Sequence, residues 1–89
     1  MEMERKGIIE VLATIFPNQA IVLEDDDSFI DKLGMDSISF VSYVIGIESK
    51  FDIEVPDEYG LPSKLDTLNK TLDLLRQERG ENYAEGESL

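Results

Sequence analysis

The chain has 89 residues, of which 20 are acidic and 8 basic, giving a formal net charge of −12. It contains neither cysteine nor histidine, so disulfides are excluded and a zinc site is disfavoured. This length predicts one domain with a thin core. The acidic balance disfavours nucleic acid and anionic lipid as partners, and it fits a basic protein partner or simple solubility equally well.

The apolar pattern predicts no integral membrane segment. No apolar run approaches the roughly 20 residues that are needed to cross a bilayer. The first six residues, Met1 to Lys6, lack the apolar stretch of a secretory signal. The absence of cysteine fits a reducing compartment. We therefore expect a cytoplasmic protein.

The first predicted element is an amphipathic helix at about residues 3–16, which Pro17 and Asn18 end. Its apolar residues recur at helical spacing and form one stripe, with Val11 at the margin. The members of this stripe are Ile8, Ile9, Leu12, Ile15 and Phe16. We assign them to the core, with no catalytic role.

Residues 17–36 form a long connection with four consecutive acids at positions 24–27. A calcium loop that started at Asp25 would need an oxygen ligand and a glycine where the sequence has Phe29 and Ile30. We therefore predict a solvated charged turn and no metal site. Because long loops in compact domains rarely stay without structure, we expect three apolar residues to fold back onto the core. These are Phe29, Ile30 and Leu33.

The second predicted helix runs from Ser37 to Phe51, and Asp36 or Ser37 can cap its start. At about 100° per residue, its core face contains Phe40, Val44, Ile47 and Phe51, flanked by Val41 and Tyr43. The opposite side carries four small residues, namely Ser39, Ser42, Gly46 and Ser49.

Two isoleucines of this helix, Ile38 and Ile45, point away from the predicted core. Scattered exposed isoleucines are ordinary on protein surfaces. The alternative is a shallow apolar docking face, where small neighbours such as Ser39 and Ser42 let a partner helix approach. The sequence favours neither interpretation.

The remainder of the chain predicts an extended segment, a short helix and a final helix. Pro56 restricts the residue before it, and a short third helix covers about Asp57 to Tyr59. The last helix spans about Thr67 to Arg79, with Asp66 as a plausible cap. Residues 80–89 are predicted to form a disordered acidic tail, which leaves 1–79 as the folded domain.

The segment Leu33–Val41, with the sequence LGMDSISFV, places a serine where a polar loop meets an apolar helix. Together with Asp27–Gly34 before it and Phe51–Glu58 after it, this segment resembles the acyl carrier protein family. The resemblance extends from about Ile8 to Leu75. It implies an all-α fold, a small four-helix bundle of the acyl-carrier type with a long first loop and a short third helix.

The resemblance also implies a covalent cofactor, 4′-phosphopantetheine from coenzyme A, attached to Ser37. Asp36 corresponds to the acid that contacts the phosphopantetheinyl transferase, an enzyme whose site uses magnesium. Further implied partners are a cargo-loading ligase or acyltransferase and downstream synthase enzymes, with the carrier itself a monomer. The arm supplies the thiol for thioester chemistry, which a chain without cysteine cannot supply itself.

Two departures from fatty-acid carriers predict a specialised pathway. Such carriers typically bear several acids along the outward face of the second helix, whereas Glu48 is the first acid after Asp36 here. Segments 58–60 and 65–70 resemble discrete D-alanyl and peptidyl carriers more closely.

Carriers of long acyl chains can part their helices to shelter the chain. Because a bulky Phe40 would fill that space, we expect small or polar cargo that stays outside.

The leading hypothesis is thus a discrete acyl or aminoacyl carrier for polyketide, nonribosomal peptide, D-alanyl or lipid synthesis. The alternative is an unmodified carrier-fold adapter that binds a protein partner through the second helix. An acidic metal-binding protein is disfavoured by ligand spacing. An enzyme is least expected, since Ser37 has no histidine base and only Asp36 nearby.

Overall fold

The computed structural model describes residues 2–80, and the secondary structure of that part is entirely helical. Four α-helices, named here α1 to α4, comprise Glu2–Ile15, Phe29–Leu33, Ser37–Phe51 and Leu68–Leu75. Single 3₁₀ turns occupy Asp57–Tyr59 and Pro62–Lys64, and a π-helical turn, Arg76–Gly80, follows α4. The all-α four-helix prediction is confirmed. The predicted acidic tail lies outside the described residues, apart from Gly80.

The long helix α3 begins and ends where the sequence predicts. Asp36 is its N-cap and accepts a hydrogen bond from the Ser39 N–H. Asp52 ends the helix in the left-handed region, with φ 54°, and its N–H bonds to the Glu48 carbonyl. At α4 the predicted cap is wrong, because Thr67 is the N-cap and accepts from the Lys70 N–H. Asp66 forms an ion pair with Lys70 instead.

Helix α2 lies within residues 17–36, for which the sequence predicts one long connection. The Ser28 side chain caps it by accepting from the Asp31 N–H, and Gly34 ends it with φ 75°, which glycine adopts without strain. Phe29 and Leu33 are buried, as predicted. The prediction for Ile30 is wrong, since 41% of that residue is exposed.

The long connection is attached to the start of α4 by hydrogen bonds. The Phe29 N–H donates to the Asp66 carbonyl at 2.7 Å, and the Asn69 N–H donates to the Asp25 carbonyl at 3.0 Å. The Asn69 side chain also donates to Asp26 Oδ1 at 2.7 Å. The acids at 25 and 26 therefore hold the connection in place.

The core lies among α1, α3 and α4, and Phe29 and Leu33 of α2 are buried in it. Its buried apolar residues are Ile8, Val11, Leu12, Phe29, Leu33, Met35, Phe40, Tyr43, Ile47, Phe51, Leu65, Leu68, Leu72, Leu74 and Leu75. Val44 is half-buried against this cluster. Val41, which was expected to flank the core, is 56% exposed and faces outward.

Helices α1 and α3 pack closely through two glycines. A β-carbon at Gly7 would lie 2.7 Å from Cζ of Phe51, and one at Gly46 would lie 2.7 Å from Cγ1 of Val11. The spacing predicts that Gly46 lies on an outward face, and this prediction is wrong, because Gly46 is directed towards α1. An ion pair between Glu10 and Lys50 joins the same two helices at the surface.

Candidate functional site

Ser37 is the first residue of α3, and its side chain is exposed. In the described part of the chain, its hydroxyl takes part in no hydrogen bond. The preceding residue, Asp36, does the capping that the sequence allowed to either residue. The Ser37 hydroxyl is thus held at a helix start and left accessible.

A capping box fixes this end of α3. Asp36 Oδ1 accepts from the Ser39 N–H at 2.9 Å, and Ser39 Oγ accepts from the Asp36 N–H at 2.8 Å. The Ser39 hydroxyl also lies 2.9 Å from Asp36 Oδ1. These bonds from the Ser39 backbone and side chain lower the pKa of the Asp36 carboxyl below its ordinary value. The carboxylate therefore stays charged beside Ser37.

The loop before Ser37 is anchored on both sides of the turn at Gly34. The Met35 side chain is buried in the core, and its N–H donates to the Phe29 carbonyl at 3.3 Å. The Gln19 side-chain amide donates to the Leu33 carbonyl at 3.0 Å. Neither contact is among the predictions from the sequence, although an apolar residue between Gly34 and Asp36 is a signal for the first. These contacts therefore hold the backbone before Ser37 in place.

Next to Ser37, three branched apolar side chains form an exposed ridge along α3, called here the α3 ridge. Ile38 is 79%, Val41 56% and Ile45 59% exposed. The sequence predicts the outward direction of the two isoleucines, whereas it predicts that Val41 flanks the core face. Their spacing of three and four residues brings the three side chains onto one side of the helix, so they are neighbours and not scattered singly over the surface.

The small residues of α3 line a shallow open groove between α1 and α3, about 790 Å³ in volume. Ser39, Ser42 and Ser49 border it on α3, and Thr14 and Ile15 border it on α1. Ser42 is exposed beside the α3 ridge, whereas the Ser39 hydroxyl is engaged in the capping box. The structure thus places Ile38, Ile45 and Ser42 on one accessible surface and gives Ser39 a structural contact.

The acidic run at 24–27 has protein partners. Asp25 pairs with Arg5 at 2.9 Å, and Asp27 Oδ2 accepts from the Glu24 N–H at 2.9 Å. Among residues 2–80, no group of three or more potential ligating side chains could hold a metal ion. The run is a hydrogen-bonded turn, which agrees with the predicted charged turn. In the same range no helix has the length and apolar character of a membrane-spanning segment.

The chain matches a known protein family over most of its length. Residues 6–74 match the family described as "Phosphopantetheine attachment site". The chain belongs to that family. The predicted resemblance is thereby confirmed, and the group that this family attaches is 4′-phosphopantetheine, as expected.

Curated relatives within this phosphopantetheine attachment family have the name "Acyl carrier protein". One, from Buchnera aphidicola subsp. Acyrthosiphon pisum strain Tuc7, is 40% identical over 53 residues, which cover 60% of this chain and 64% of the relative. Another, from Buchnera aphidicola subsp. Schizaphis graminum, is 32% identical over 75 residues, covering 84% and 92%. The match to the first spans just under two thirds of that relative's length. No solved structure matches significantly.

The residues present fit a phosphopantetheine group at the start of α3. Its attachment needs an accessible hydroxyl, and the Ser37 hydroxyl is exposed and unengaged. The positive end of the α3 dipole favours a phosphate at this position. The Asp36 carboxylate opposes it in charge, yet Asp36 is exposed to solvent, which screens the repulsion. The start of α3 is therefore both accessible to the phosphopantetheine group and chemically suited to it.

Proposed function

We propose that this protein is a carrier that holds acyl or aminoacyl groups as thioesters on 4′-phosphopantetheine attached to Ser37. The observation that supports this most directly is the exposed, unengaged Ser37 hydroxyl at the capped start of α3. The arm would supply the thiol, and the chain would supply a fixed attachment point. In this role the protein is a substrate of other enzymes and does no catalysis of its own.

Asp36 has a second role in this proposal, as the contact for the phosphopantetheinyl transferase. Its carboxylate is exposed, stays charged and is held in one geometry by Ser39. A charged oxygen of this kind suits a magnesium-containing enzyme site, since magnesium prefers oxygen ligands. The same side chain can therefore cap α3 and face the transferase.

Partner enzymes would dock on the α3 ridge and Ser42. The ridge supplies apolar area, and between Asp36 and Glu48 the positions beside it are serines rather than acids. Charged rims mainly change the rate of encounter and the choice of partner. The small number of acids beside the ridge therefore supports partners that recognise shape and apolar contact there. These are a cargo-loading ligase or acyltransferase and downstream synthase enzymes of a specialised pathway, for polyketide, nonribosomal peptide, D-alanyl or lipid synthesis.

The carrier would act as a cytoplasmic monomer with protein partners. Its net charge of −12 opposes binding to nucleic acid phosphates. The same charge opposes self-association at neutral pH and favours partner enzymes with basic patches.

The test is the intact mass of the protein after incubation with coenzyme A, magnesium and a broad-specificity phosphopantetheinyl transferase. The native chain should gain the mass of one phosphopantetheine, and Ser37→Ala should gain none. Ser49→Ala, which removes another exposed serine of α3, is the matched control and should load like the native chain. Loading of Ser37→Ala, or no loading of a folded native chain, would contradict the proposal.

The alternative function is an unmodified adapter with a carrier fold. The exposed α3 ridge favours it, because a protein-binding surface needs no prosthetic group. An adapter would bind its partner equally well as native chain and as Ser37→Ala, and Ile38→Ser with Ile45→Ser would weaken that binding in both. A carrier, by contrast, would lose its function through the single substitution Ser37→Ala.

A further inference from the structure

A hydrogen-bonded pair of hydroxyls lies in the interior between α3 and α4. The Tyr43 hydroxyl and the Thr71 Oγ1 atom are 2.7 Å apart, and both residues are 0% exposed. Tyr43 comes from α3 and Thr71 from α4, so the bond joins the two helices across the core. We call this pair the Tyr43–Thr71 tie.

The direction of the hydrogen bonds follows from the neighbouring acceptors. Thr71 Oγ1 donates to the Thr67 carbonyl, 3.2 Å away and four residues earlier in the same helix. Its hydrogen is therefore used, so the Tyr43 O–H donates to Thr71. Within residues 2–80, every buried side-chain nitrogen and oxygen has a partner, and this network contributes to that complete pairing. Burial raises the pKa of the Tyr43 hydroxyl, which keeps it a neutral donor.

The Tyr43 ring also fills the space beside the tie. The Phe29 ring packs edge-to-face against it, with centroids 5.4 Å apart and an interplanar angle of 73°. Phe29 itself is fully buried and comes from α2, so three helices meet at this ring. Tyr43 lies six residues after Ser37, roughly 9 Å along the helix axis. The tie is thus close to the proposed attachment point.

An apolar chain held at Ser37 could enter the interior by separating α3 from α4. In a purely apolar core, the side chains that move apart would regain equivalent contacts with the entering chain. Here the separation leaves the Tyr43 O–H among apolar atoms, which costs the desolvation of an unpaired donor. It also removes the edge-to-face contact with Phe29.

We propose that the Tyr43–Thr71 tie closes the interior to apolar cargo, so that this carrier serves short or polar acyl groups which stay outside the bundle. This inference rests on the proposed function for the arm at Ser37. The favourable energy of burying a chain grows with its apolar area, whereas the tie adds a fixed cost. Tyr43 and Thr71 are therefore specificity-determining residues that select by chain length.

The experiment compares octanoyl and acetyl thioesters on the full-length chain, loaded from the corresponding coenzyme A esters. The readout is the rate at which hydroxylamine cleaves each thioester, divided by the rate for the same thioester of free pantetheine. In the native chain the two normalised rates should agree within about twofold. In Tyr43→Leu with Thr71→Val, which removes both hydroxyls and frees apolar space, octanoyl cleavage should be about tenfold slower than acetyl cleavage.

The matched control is Tyr59→Leu, because the Tyr59 hydroxyl bonds at the surface to Gln77 rather than in the interior. It should behave like the native chain. If the double variant does not melt cooperatively, Tyr43→Phe with Thr71→Val takes its place, because it keeps the side-chain volume and removes only the hydrogen bond. In this variant too, the normalised cleavage of the octanoyl thioester should be slower than that of the acetyl thioester. The proposal is overturned if octanoyl cleavage is already about tenfold slower than acetyl cleavage in the native chain. It is also overturned if the two normalised rates agree in a folded variant that lacks both hydroxyls.

Failure of the arm to attach would overturn the proposed function and leave this inference testable. The chain has no cysteine, so Ser37→Cys creates a single thiol that can be alkylated with a methyl or a decyl group. In the native interior the decyl label should not raise the melting midpoint above that of the methyl label. In the Tyr43→Leu with Thr71→Val background it should. A rise in the native interior would overturn the tie as a barrier.

Discussion

The two long faces of α3 are both apolar, yet one is sealed and the other is open. The inner face buries Phe40, Tyr43 and Ile47 against α1 and α4, with every buried hydroxyl paired. The outer face presents Ile38, Val41 and Ile45 to solvent, next to the accessible hydroxyl of Ser37. What separates the faces is therefore the presence of packed neighbours and not the hydrophobicity of their residues.

The largest expected effect comes from two isoleucines that lie two residues apart on opposite faces. Ile47 is 0% exposed and Ile45 59% exposed. Ile47→Ala should lower the free energy of unfolding by about 2–5 kcal/mol, because it leaves a cavity in the core. Ile45→Ala should change it by no more than about 0.5 kcal/mol. Urea unfolding measures both, and equal losses would show that the outer face also contributes to packing.

The contact between Gly46 and Val11 gives the next effect. A methyl group at position 46 would overlap Val11, which costs about 1–3 kcal/mol, whereas replacing a helical glycine by alanine gains about 1 kcal/mol. Gly46→Ala should therefore destabilise the native chain. With Val11→Ala present, the same substitution should become stabilising, since the overlapping methyl groups are gone. A double-mutant cycle of thermal unfolding measures this coupling, and strict additivity would contradict it.

A smaller, pH-dependent effect is expected at Asp36. Folding lowers the pKa of this carboxyl, so its contribution to stability is present above the unfolded pKa of about 4 and is lost as pH falls through the folded pKa. Asp36→Ala should lower the melting midpoint by a few degrees at pH 7, and the difference should narrow below about pH 4. Glu58→Ala, an exposed acid outside α3, is the control. If the difference in melting midpoint between the native chain and Asp36→Ala widened in acid, folding would raise the pKa of Asp36 and the prediction would be wrong.

The smallest expected effect is on the stability of Ser37→Ala. Since Asp36 rather than Ser37 caps the helix, the loss should stay within about 0.5 kcal/mol, below the roughly 1 kcal/mol typical of a removed cap. Urea unfolding of the unmodified chains measures this. A loss of 2 kcal/mol would mean that Ser37 has a structural role in the inner packing.

Local signals in the sequence were enough to predict α1, α3, the 3₁₀ turn at 57–59 and the position of Ser37. Periodicity and capping residues set these elements, and both depend on neighbours within one or two turns. Helix α2 has such signals as well, in Ser28 and Gly34, but five residues are too few to show a period. Val41 and Gly46 were assigned to the wrong sides because only α1 and α4 decide which part of α3 is covered. The Tyr43–Thr71 tie joins residues 28 apart, a distance over which local patterns carry no information.

The hydrogen bonds between the long connection and the start of α4 also bear on the order in which the protein folds. Asn69 and Asp26 are 43 residues apart, so their contact has to close a long loop of chain. Contacts of such long sequence separation form slowly, and a marginal domain that opens locally can lose them before the rest unfolds. We therefore expect the long connection and the start of α4 to gain and lose order together. The loop before Ser37 is bonded to Phe29 of this connection, so its order depends on the same contacts. A transferase that recognises this loop would modify the completed fold in preference to partly folded chains.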